Sequence, residues 1–209
     1  MSQSESFLTL AARVRHEIPK VRGSRFVATA APVQSPGEIE EFLRQVRKEL
    51  HDASHHPYAW RLRDSSGLDA FRSSDDGEPS SSSGKPILQQ IDSKNLTQIV
   101  VVVTRYFGGT KLGVGGLVRA YGEAAREVLS RARVLEVFRT QPIELCFPYE
   151  FTGRVQGLLT SLGIKKGQST CSAAVTLIVE IRESLVDKLL RNFAECTGGQ
   201  GRHRRLERQ

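Results

Sequence analysis

The sequence predicts an α+β protein made of two consecutive units, and three observations lead there. Residues 99–103 form a continuous β-branched run, which reads as a strand buried on both faces. Apolar stripes at helical spacing alternate along the chain with short strand-like segments. The apolar pattern then restarts near Arg139, which places one domain at 1–138 and a second at 139–209. A chain of 209 residues can bury two cores, and 39% hydrophobic content excludes a disordered or membrane-embedded class.

In the first unit, "GSRFVATAAPV" reads as a strand with Phe26, Ala28 and Ala30 on one side. A helix follows in "SPGEIEEFLRQVRKELHD". Ser35 supplies its cap, Pro36 suits the first turn, and Glu38 completes a capping box. Ile39, Phe42, Leu43, Val46 and Leu50 recur at helical spacing. "HPYAWRLR" alternates, with Tyr58, Trp60 and Leu62 on a buried face. Residues 64–84 are rich in Ser, Asp and Gly and predict a long loop. "KPILQQIDSKN" gives a short helix, "TQIVVVVTRYF" the doubly buried strand. Leu117, Tyr121, Ala125, Val128 and Ala132 then trace the stripe of a longer helix.

The second unit opens with a strand, "TQPIELCFPY", and a helix, "EFTGRVQGLLTSLG", with Val155, Leu158, Leu159 and Leu162 inward. "IKKGQSTCSA" and "AVTLIVEIR" read as strands, and "ESLVDKLLRNFAECTGG" as a helix stopped by Gly198 and Gly199. This β-α-β-β-α order matches a ferredoxin-like sandwich. Its closing strand has to come from "RHRRLERQ", where Leu206 is the one aliphatic residue.

The formal charge of +7 makes a polyanion such as RNA a natural partner, although many soluble proteins carry similar charge. The longest apolar run is too short to span a bilayer, and the N-terminus lacks the pattern of a secretory signal. Cys146, Cys171 and Cys196 are dispersed, as expected of reduced thiols. A cytoplasmic protein without membrane contact is therefore expected.

The densest signal is "TRYFGGTKLGVGGLVRAYGEAA", where residues 108–116 hold five glycines. It matches neither the P-loop nor the dinucleotide fingerprint. The ingredients of anion binding are still present, because glycine amides and the start of the following helix can face one concavity. Arg105, Lys111 and Arg119 would add charge, and the candidate set is completed by Gly108, Gly109, Gly113, Gly115 and Gly116. The alternative is a tight turn that packs on a neighbouring element.

"RSSDDGEPS" places Asp75, Asp76 and Glu78 together, with Lys85 shortly after. Such carboxylates could serve acid/base or phosphate-handling hydrolytic chemistry, which defines the rival, enzymatic reading. The segment also has the composition of an ordinary turn and lacks the EF-hand spacing, so loop structure is favoured over a metal site. His55 and His56 are adjacent in a strand and point to opposite faces, which does not suit a shared ion. No GxSxG, HExxH or CxxC occurs, and no cofactor is called for. Both unusual segments flank one buried strand, so the acidic loop should lie near the glycine turn. A carboxylate paired with Lys111 or Arg105 would then hold the loop there.

"YAWRL", "SDDGEPSSSSGKPIL" and "VVVTRYFGGTKLGVGGLVRAYGEAA" together resemble the signature of the IMPACT family, in its bacterial YigZ-like branch. The likeness covers about residues 20–132. It implies an N-terminal domain similar to the second domain of ribosomal protein S-five and to domain four of elongation factor G, followed by a ferredoxin-like domain. It also implies a role in translation regulation, with contact to RNA or the ribosome. One departure is visible: the family's Gly-Thr-Ala before Gly-Lys-Pro is replaced by Ser81, Ser82 and Ser83.

Overall fold

The computed structural model describes residues 6–63, 69–164, 169–171 and 174–206. Phe7–Val137 form one compact unit; Ser6 and the chain from Phe138 onward belong to a second.

The first unit runs β1 (Ser6–Leu10), β2 (Val14–Val21), β3 (Ser24–Pro32), α1 (Pro36–Glu49), β4 (Tyr58–Arg63), β5 (Asp69–Ser74), α2 (Gly84–Ser93), β6 (Ile99–Tyr106), α3 (Val114–Arg131) and β7 (Val134–Phe138). β1 pairs with β7, and the other strands form an antiparallel sheet in the order β2-β3-β6-β4-β5. β6 is central because its side chains are apolar on both faces. Ile99, Val101 and Val103 pack with Ile87, Ile91, Tyr121 and Val128 of α2 and α3. Val100 and Val102 pack with Ile39, Phe42 and Val46 of α1. The double burial therefore comes from helices on both sides of an antiparallel sheet.

α1 starts where its cap residues dictate. Ser35 Oγ accepts from the Glu38 amide at 3.3 Å, while Glu38 Oε2 accepts from the Gln34 amide at 2.8 Å. The loop expected over 64–84 is shorter than its composition indicated, because β5 occupies Asp69–Ser74. That strand lies at the sheet edge with nearly all its side chains exposed, so no apolar alternation marks it. β2 escaped notice for a similar reason, since only Ile18 is fully buried within it.

The second unit contains β8 (Thr140–Phe147), α4 (Thr152–Ser161), β9 (Ser169–Cys171), β10 (Val175–Arg182), α5 (Val186–Cys196) and β11 (Arg202–Arg205). Its sheet has the order β11-β8-β10-β9, with all neighbours antiparallel. That is the strand order of the split β-α-β sandwich. Ile143, Leu145, Phe147, Val179 and Ile181 face Val155, Leu159, Leu189 and Phe193 of the two helices. Part of the expected strand "IKKGQSTCSA" lies outside the described residues.

The closing strand forms without an apolar face. β11 is an exposed edge whose backbone pairs with β8, and Arg204 and Arg205 form ion pairs with Glu144 and Asp187. Edge strands are commonly charged, which discourages pairing with further chains. Gly198 and Gly199 take positive φ and end α5, as expected. Among the described residues, no helix is long and apolar enough to cross a membrane.

Candidate nucleic-acid interface

The β3–β6 register sets Arg25 opposite Tyr106 and Phe26 opposite Arg105, so the end of β6 lies beside the β2–β3 turn. Arg22 and Gly23 make that turn with φ of 47° and 81°. The glycine segment leaves β6 and packs directly on it. A Cβ on Gly108 would stand 2.0 Å from the Gly23 carbonyl carbon. The Ser24 hydroxyl oxygen accepts from the Gly108 amide at 3.2 Å and from Arg105 Nη2 at 3.4 Å.

Each glycine therefore meets a different demand. Gly108 permits the close approach of two backbones, as the tight-turn alternative required. Gly109 and Gly113 adopt φ of 85° and 71° in open space, a conformation that suits glycine. Gly115 and Gly116 lie in the first turn of α3, and Gly113 caps that helix without a side-chain hydrogen bond. The helix start thus leaves its first amides free.

Lys111 and Arg119 are exposed, and neither forms an ion pair among the described residues; Arg119 Nε donates to the Gly115 carbonyl. Exposed Lys20 and Arg22, near the Gly23–Gly108 contact in the chain, likewise form no ion pair. Sequence reasoning missed these two, because an Arg-Gly turn carries a weaker hairpin signal than Asn-Gly. Phe107 adds an aromatic ring that is 51% exposed.

Arg105 lines a cleft as half of a buried ion pair: it is 6% exposed and donates through Nη1 to Glu78 Oε1 at 2.7 Å. Its guanidinium also lies 5.8 Å from the Phe26 ring centroid and 5.5 Å from that of Phe107. Tyr121, which lies on the apolar stripe of α3, donates its hydroxyl to the same Glu78 oxygen at 2.7 Å. Burial and then the Glu78 hydrogen bond push the Tyr121 phenol far above its usual range. A buried tyrosine needs a partner for its hydroxyl, and that need was the available sign of this contact.

Through Glu78 the acidic loop binds the two elements that flank the glycine turn, β6 at Arg105 and α3 at Tyr121. Its three carboxylates nevertheless diverge. Asp75 Oδ1 accepts from the Ser83 amide, the Ser83 hydroxyl and the Gly84 amide; Oδ2 accepts from the Ser81 amide. Burial opposes ionisation of Asp75, but the hydrogen bonds from Gly84, Ser83 and Ser81 outweigh it and hold its carboxyl below the usual range. Asp76 accepts from Arg47 Nη2 and from the His56 amide. Burial pushes the His56 imidazole below its usual range, partly opposed by Asp76, and the ring shares a hydrogen bond with Thr104 Oγ1. Lys85 is exposed on α2 and forms no ion pair among the described residues. The loop thus provides caps and one buried ion pair. It does not bring its carboxylates together as the enzymatic reading needs.

Between the glycine turn and Glu78 opens a cleft of about 460 Å³, lined by Glu78, Pro79, Arg105, Phe107, Lys111, Leu112, Gly113, Val114 and Leu117. Fold and site together define an α+β protein whose glycine turn presents free helix amides, unpaired cations and an exposed aromatic ring beside a partly apolar cleft. A family model described as the Impact N-terminal domain matches residues 22–129, more than half of the chain. The chain belongs to the IMPACT family. It is 44% identical over 139 residues to an IMPACT family member of Thermus thermophilus, covering 66% of this chain and 73% of the relative. It is 33% identical over 199 residues to the IMPACT family member YigZ of Escherichia coli K12, covering 93% and 95%. A crystal structure of a hypothetical protein superposes with a TM-score of 0.69 at 31% identity, covering 98% of this chain and 99% of that one.

The serine departure now has a physical reading. Ser82 is fully buried and donates its hydroxyl to the Pro79 carbonyl at 2.6 Å. Ser81 holds φ at 60°, a conformation that favours glycine. A non-glycine residue there costs about 1–2 kcal/mol. Ser81→Gly should recover part of that, raising stability by roughly 0.5–1 kcal/mol in denaturant titrations, offset by greater unfolded-state freedom. A loss of stability would show that the serine side chain contributes more than its backbone strain.

Proposed function

We propose that this protein binds RNA, alone or on the ribosome, through the glycine turn, and that it regulates translation in the cytoplasm. The observation that carries the reading is the contact of the Arg22–Gly23 turn with Gly108, which brings exposed Arg22 to the segment that holds exposed Lys111, Phe107 and the uncapped start of α3, with Arg119 in its second turn. Free cations and helix amides suit phosphates, and an exposed ring suits an unpaired base. Family membership supports the translational setting. The diverging carboxylates give the hydrolytic alternative no comparable support.

Binding to unstructured RNA should weaken steeply with salt, because each phosphate contact releases counterions. Lys111→Ala and Arg119→Ala should each weaken binding and reduce the log–log salt slope by about 0.7 per lost contact on single strands. Fluorescence anisotropy with labelled RNA across a salt series measures this, and ribosome co-sedimentation at low and high salt tests the cellular target. Unchanged slopes in both variants would remove the glycine turn from the binding surface.

A further inference from the structure

We propose that the cleft behind the glycine turn is a pocket for one unstacked nucleobase with a donor edge, guanine above all. This rests on the RNA reading and specifies which part of the RNA enters. At about 460 Å³, the cleft has the size of a small-molecule pocket, roughly 300–1,000 Å³, and suits one nucleoside. Phe107, Val114 and Leu117 give it apolar walls, and Phe107 offers a face on which a base can stack.

Its charged lining is Lys111 and the Arg105–Glu78 pair, and its acceptor is Glu78, whose side chain is 3% exposed. Oε1 accepts from Arg105 Nη1 and the Tyr121 hydroxyl. Among the described residues, Oε2 has no hydrogen-bond partner. The atom is not fully buried, and Glu78 lines the cleft, so a ligand N–H that enters can supply the donor it lacks. The carboxylate accepts only, so it selects bases by their donors. Guanine presents N1–H and an amino group side by side. Adenine and cytosine offer one amino group beside an acceptor nitrogen. Uracil sets its N3–H between two carbonyl oxygens, which a carboxylate repels. At the rim, Lys111 and the uncapped amides of α3 are placed for the phosphate of the same nucleotide.

The test compares two labelled, unstructured octaribonucleotides, all-uridine and uridine with one central guanosine, by anisotropy at low salt. The wild-type protein should bind the guanosine-containing RNA about tenfold more tightly. In Glu78→Gln the amide carbonyl still accepts from Arg105 and Tyr121, while the amino group turns to the cleft. That variant should lose the guanosine preference or favour uridine. Phe107→Ala, a change at a half-exposed ring, should abolish the preference while the protein stays folded, and it carries the test if Glu78→Gln fails to fold. Equal wild-type affinity for both RNAs, with both weakened by Lys111→Ala, would overturn the base pocket and leave RNA binding standing. Absence of binding to either RNA would overturn both.

Discussion

Replacing Glu78 by Ala is expected to lower the unfolding midpoint of the first unit by about 10 °C. The change strands the Arg105 guanidinium, 6% exposed, with its Nη1 bond broken and its Nε already without a hydrogen-bond partner. Removing one member of a buried ion pair costs about 3–5 kcal/mol, and each kcal/mol shifts the midpoint by roughly 2–4 °C in a chain of this size. The Tyr121 hydroxyl would lose its acceptor at the same time. Trp60, the one tryptophan of the sequence, lies on β4 in the same unit and gives a local fluorescence signal. Replacing both partners, Glu78→Leu with Arg105→Met, should recover much of the loss, since an apolar pair leaves no buried charge. A Glu78→Ala protein within 1 kcal/mol of wild type would mean that water reaches Arg105 freely and that the pair does not anchor the acidic loop.

Gly108→Ala should cause the second large effect, for a steric reason. The added Cβ would meet three backbone atoms of the β2–β3 turn: the Gly23 carbon at 2.0 Å, the Gly23 oxygen at 2.3 Å and the Ser24 nitrogen at 2.3 Å. No side chain can swing aside, so one backbone must move. Overpacking of this kind typically costs about 1–3 kcal/mol, and the Ser24–Gly108 hydrogen bond would be lost with it. Because Arg22 and Lys111 flank the contact, RNA affinity should fall together with stability. Gly115→Ala is the informative control. Its Cβ would meet only Arg119 Nη2, at 4.0 Å, within a helix where alanine is favoured by about 0.5–1 kcal/mol. Denaturant titrations of the two variants should therefore move in opposite directions. A neutral Gly108→Ala would show that the glycine turn and the hairpin separate readily.

Periodicity and punctuation in the chain already indicated the class of fold, the central strand and, among the described residues, the five α-helices. Residues 99–103 had to be buried on both faces, and Ser35, Pro36 and Glu38 had to start a helix, because these are local or short-period effects. The quoted motifs also carried the family. Polar-edged strands β2, β5 and β11 left little trace, since backbone pairing at an edge requires no apolar alternation. The candidate site was visible as a list of residues, without their roles. Whether a glycine serves close approach or left-handed backbone depends on what lies opposite, and Gly23 is 85 residues from Gly108 in the chain. Whether an arginine is a free cation or half of a buried pair depends on the partner that folding delivers. Glu78 reached Arg105 and Tyr121 only because the acidic loop closes over the end of β6 and the start of α3. The low-dielectric environment that gives that pairing its energetic weight exists only once those elements have packed.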